Sequence, residues 1–175
     1  MGVFCLVLFN ISCGPNESTS ATDKVEATDD FQYMTEQFAD VKIIRYRIPA
    51  WDKLNLKEKK LVYYLTRAGL AGRDIMYDQN YRNNLIIRNT LENIYRHFNG
   101  DKSGENWKKF EIYLKRIWFS NGIHHHYSYD KFDPGFPRKY LEELLEKTGN
   151  QLSEEVMTAI FDPSVDAKKV SKDGR

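Results

Sequence analysis

Beyond residue 13 this chain contains no cysteine: its two thiols, Cys5 and Cys13, both lie in the first 13 residues. A disulfide framework or a cysteine-based zinc site is therefore excluded from the rest of the chain. No histidine is followed by glutamate, so the helical zinc-protease motif is missing. There is no glycine-rich phosphate loop and no Gly-x-Ser-x-Gly nucleophile elbow. Charge of one sign is not in excess, with 26 basic against 25 acidic side chains. That balance argues against a nucleic-acid partner, which selects for a basic surface. The longest apolar run, Val3 to Phe9, is far shorter than the roughly 20 residues a bilayer-spanning helix needs.

What is present is a globular composition. Hydrophobic residues make up 41% of the 175 positions, enough for one domain with a real core. The run Val3–Phe9 suits the apolar core of a secretory signal, and it ends at Ser12-Cys13. Small Ser12 before Cys13 resembles a bacterial lipobox, so Cys13 is the expected lipidation site. Asn10 departs from the usual aliphatic residue, and a basic leader is missing. The alternative for this run is a buried strand. Residues 14–30 are polar and read as a solvated tether. The expected organisation is a signal over 1–13, a tether over 14–30, a helical region over 31–161 and a polar tail over 162–175. The expected location is the bacterial cell envelope, on the periplasmic side, with the membrane reached only through the lipid anchor.

The expected fold is mainly α, with one short strand near residues 41–48. Val41, Ile43 and Ile44 alternate loosely with Lys42, Arg45 and Arg47 before Pro49 stops the pattern. No partner strand is evident. A first helix is expected from Asn55, with Glu58 completing a capping box. Leu61, Leu65, Ala68 and Gly72 share one face of it. Gly69 and Gly72 read as sites of close packing, and Asp74 and Asp78 as surface charges one turn apart on the same helix. Further helices are expected over Asn83 to Phe98 (Ile87, Leu91, Ile94) and Ser103 to Phe119 (Trp107, Phe110, Leu114, Ile117). Two more follow, one after Pro137 (Leu141, Leu144, Leu145) and one from Ser153 through Ile160.

Three of the four histidines are consecutive: His124, His125 and His126. Adjacent side chains point about 100° apart in a helix and to opposite faces in a strand, so three neighbouring imidazoles converge poorly on one ion. No native metal site is expected in this chain. His97 falls near a helix end, where an imidazole meets the negative end of the helix dipole. A polar loop lining a cleft is the favoured reading of residues 121–129, and a solvated connector is its alternative.

Four stretches resemble the dipeptidyl peptidase III family in its bacterial branch. They are Leu61-Val62-Tyr63-Tyr64-Leu65-Thr66-Arg67-Ala68, then Gly72-Arg73-Asp74-Ile75, then the run from Tyr113 to Tyr127 through Trp118-Phe119-Ser120-Asn121-Gly122-Ile123-His124-His125-His126, and Asp130-Lys131-Phe132. The resemblance spans Phe38 to Thr148. It implies a zinc hydrolase that releases dipeptides from the free amino end of short peptides. It also implies a two-lobed α+β fold, of which this chain would be the helical amino-terminal part. Family members are several times longer and carry zinc through a His-Glu motif further along, so this chain is expected to hold no cofactor and to be inactive alone. By the same resemblance Asn121, Gly122, His124, His125, His126 and Tyr127 would line the substrate cleft. The competing expectation is a non-catalytic helical lipoprotein that binds peptides or a partner protein.

Overall fold

The computed structural model describes residues 31–169. They form a mainly helical domain with a two-stranded antiparallel hairpin at its start. The hairpin pairs β1 (Met34–Phe38) with β2 (Val41–Ile44). Six helices follow: α1 (Leu56–Ala71), α2 (Arg73–Asn80), α3 (Asn84–His97), α4 (Glu105–Ser120), α5 (Arg138–Thr148) and α6 (Glu154–Phe161).

The core lies between α3, α4, α5 and α6. Ile87, Leu91 and Ile94 line one stripe of α3 at the expected spacing, and all are fully buried. Trp107, Phe110, Leu114 and Ile117 do the same on α4. An aromatic row ties the layers together: Phe98 stacks on Trp107 at 5.0 Å, Trp107 meets Phe110 at 5.1 Å, and Phe136 reaches Phe110 at 6.0 Å. Leu141, Leu144 and Leu145 close the core from α5. Pro137 stands at the N-cap of α5, and Gly149 ends it in the left-handed region, with Asn150 N donating to Leu145 O. Ser153 caps α6 by accepting from Val156 N.

The strand expectation needs correction. The partner strand exists and lies immediately upstream: Phe38 faces Val41 across a two-residue turn. The turn is Ala39-Asp40, with Ala39 at φ 46. It carries no glycine or asparagine to announce it. The strand itself stops at Ile44, short of residue 48.

Helix α1 keeps its expected start but not its expected role. Asn55 Oδ1 accepts from Glu58 N at 3.0 Å, and Glu58 Oε2 accepts from Asn55 N at 2.8 Å. Yet α1 buries no residue; Leu61 and Leu65 are well exposed. A Cβ on Gly69 would meet nothing within 4 Å, so no close neighbour explains that glycine among the described residues. The chain also breaks at Gly72, which places Asp74 and Asp78 on the separate helix α2. Asp74 accepts from Arg88 Nη1 at 2.7 Å, an ordinary ion pair. Trp118 is half-buried, with its Nε1 donating to Glu92; Trp107 is the deeply buried tryptophan.

Candidate functional site

The histidine loop begins where α4 ends. Asn121 caps α4 in the left-handed region at φ 54, a conformation asparagine tolerates better than most residues. Gly122 follows at φ 149, which only glycine adopts without strain. Its missing side chain matters a second time, because a Cβ there would sit 2.1 Å from Asn84 Nδ2. Asn84 is buried and holds the turn together. Its Nδ2 donates to Tyr77 O at 3.1 Å, and its Oδ1 accepts from Ile123 N at 3.1 Å. Asn80 Nδ2 donates to Asn121 O at 3.1 Å. Sequence reasoning missed these two asparagines. A signal existed: Asn84 stands three residues before Ile87, on the stripe that continues through Leu91 and Ile94.

The loop's far side is fixed by the segment after α6. His124 is buried, and its Nε2 lies 2.8 Å from Asp166 O. A carbonyl only accepts, so Nε2 carries the proton. Nδ1 is then a buried acceptor with no partner. Burial pushes the His124 pKa down; the Asp166 carbonyl opposes this, and the Lys131 charge adds to it. Lys131 Nζ donates to Ala159 O at 2.8 Å and to Asp162 O and Val165 O, so all three ammonium protons are spent on carbonyls in the last turn of α6 and just past it. Burial lowers the Lys131 pKa too, with Asp162 and Asp166 opposing. Lys131 N donates to Ala167 O and Lys169 N to Tyr129 O. Tyr81 donates to Asp166 Oδ2 at 2.7 Å; burial, then that carboxylate, pushes the phenol up to about 12. Residues 162–169 of the polar tail are thus strapped against the loop, which no core pattern foretold.

On this base three rings form a ledge. His125 and His126 stack at 4.6 Å, and His126 meets Tyr127 at 4.4 Å. His125 Nδ1 accepts from Tyr127 N and Ser128 N, both at 3.2 Å, which leaves the proton on Nε2. Phe119 sets its ring edge-on to His126 at 5.1 Å, and Ser120 Oγ lies 3.4 Å from His126 Nδ1. Tyr127 is 81% exposed. Asp40 and Val41 of the hairpin turn border the same recess as His125 and His126. A groove of about 470 Å³ runs beside the loop, lined by Asp130, Phe132, Pro134 and Phe161 among others.

The six expected site residues therefore divide. His125, His126 and Tyr127 reach solvent, whereas Gly122 and His124 lie beneath, and Asn121 engages its neighbours through its carbonyl. Among the described residues, no three His, Cys, Asp or Glu side chains are grouped to hold a metal ion. The three imidazoles diverge, with His124 turned to Asp166 and the other two stacked. His97 Nδ1 lies 2.9 Å from Asn93 O within the last turn of α3. Cys13 and the residues around it fall outside the described part. No described helix is long and apolar enough to cross a membrane. The ledge can offer stacking surface and ring-nitrogen hydrogen bonds to an extended ligand. Compared with known proteins, the chain matches no protein-family model and no curated protein.

Proposed function

We propose that this chain is the amino-terminal, substrate-cleft portion of a zinc-dependent dipeptidyl peptidase, tethered to the bacterial envelope through Cys13. The observation that carries the reading is the ledge of His125, His126 and Tyr127 on a rigid base. Rings held in place by Asn84 below and by the strap behind are pre-organised to receive a peptide backbone, which lowers the entropy cost of binding. The sequence resemblance to dipeptidyl peptidase III falls on the same stretch and supports the same use. In this reading exposed Tyr127 contacts substrate, and Gly122 and His124 position the ledge.

In this reading zinc belongs to a His-Glu motif elsewhere in the peptidase, where it supplies the hydrolytic chemistry. This chain's residues bind and orient the peptide, and alone it has no dipeptidyl activity. The decisive experiment is to read the transcript through the codon for Arg175. A frame that continues into a His-Glu zinc motif is expected. A frame that closes without one overturns the proposal.

A further inference from the structure

Leu61, Val62, Tyr63, Tyr64 and Leu65 are five consecutive apolar side chains on α1, and each is more than a third exposed. Successive helical residues point about 100° apart, so these five cover the whole circumference. A lipid surface or a flat protein face covers one side of a helix. A stretch of helix that is apolar all round, as residues 61–65 are, is suited to an enclosed site. The other half of the evidence is charge. α1 carries Lys57, Lys59, Lys60 and Arg67 against the single acid Glu58, whose carboxylate is committed to the helix cap. Two such helices repel each other, which disfavours a second copy and favours an acidic receiver.

We infer that α1 is an insertion helix that docks into an apolar groove of another protein surface, rimmed by carboxylates that meet Lys57, Lys60 and Arg67. The inference rests on the peptidase reading only for the identity of that surface, which is then the zinc-bearing part of the same enzyme. Exposure and charge stand without it.

The test places a photo-crosslinking benzoylphenylalanine at position 64 of the full chain in the cells that make it. The same residue at position 139, exposed on α5, is the control. The expected result is a protein adduct from position 64 and none from 139, mapping to apolar residues flanked by Asp or Glu. Lys57→Glu with Lys60→Glu should cut its yield about tenfold while circular dichroism stays unchanged. An adduct on a polypeptide with a His-Glu zinc motif supports both readings. An adduct on a zinc-free polypeptide with the same acid-rimmed surface keeps the docking inference and overturns the peptidase reading. An adduct to a second copy or to lipid, one insensitive to the charge reversal, or none at all overturns the docking inference. The peptidase reading is then still decided by the transcript.

Discussion

Helices α1 and α4 are both 16 residues long, and they meet opposite fates. α4 buries Trp107, Phe110, Tyr113, Leu114, Ile117 and Ser120, while α1 buries nothing. Basic content does not separate them, since each carries three lysines and one arginine among its apolar residues. Arrangement does. On α4 the apolar side chains fall mainly on one stripe, and a single layer of neighbours from α3, Phe98 and Phe136 satisfies it. On α1 they wrap the helix, and its principal neighbour is α2. A stripe needs one partner surface; a full circumference needs an enclosure. The difference teaches that the described residues hold a finished core beside an unfinished one.

The sharpest way to break that contrast is to cut each side in turn. Phe110→Ala, at a fully buried position, should destabilise the chain by about 3–5 kcal/mol in urea unfolding. Next in size is Gly122→Ala, where the positive φ and the clash with Asn84 together should cost about 2–3 kcal/mol. A melting curve reads it, and an unchanged midpoint would show that the turn beneath the ledge is not rigid.

A smaller effect comes from pH. The folded chain holds His124 neutral, so its pKa lies below that of the unfolded chain, near 6.5. The contribution to stability is full above roughly pH 6.5. It is lost as pH falls through the interval down to the folded pKa. His124→Gln keeps an amide donor toward Asp166 O and should flatten this acid slope in melting curves taken between pH 7 and pH 5. Equal slopes for both chains would remove His124 from the account. The smallest effect belongs to α1: Leu65→Ala should shift stability by no more than about 0.5 kcal/mol in the isolated chain. A loss approaching that of Phe110→Ala would mean α1 already packs against something in solution.

The sequence made the core legible because periodicity reports burial directly where one face is apolar. The stripes of α3, α4, α5 and α6 stand where their leucines, isoleucines and aromatics put them. The caps at Asn55 and Ser153 were equally readable, since each places an oxygen three residues before a free amide. The hairpin was half readable. β2 shows its β-branched residues, but β1 reads Met-Thr-Glu-Gln-Phe and turns on Ala39-Asp40, where a lone aspartate with no glycine or asparagine beside it is a weak turn signal. At the site, local sequence pointed to the exposed rings. It could not reveal that Asn84 and Asp166, 37 and 45 residues from Asn121, secure the loop from below and behind, because that depends on tertiary contact. Lys131 is the clearest case. Nothing in a run of Asp-Lys-Phe announces an ammonium sheathed by three carbonyls from residues 159–165.

Amide hydrogen exchange on the purified chain, followed by mass spectrometry at two dilutions, tests the contrast between α1 and α4 most directly. Amides of α4 should exchange only through global unfolding, whereas those of α1 should exchange at least about 100-fold faster at both dilutions. Protection of α1 equal to that of α4 would contradict the account, showing that the helix is enclosed without any partner.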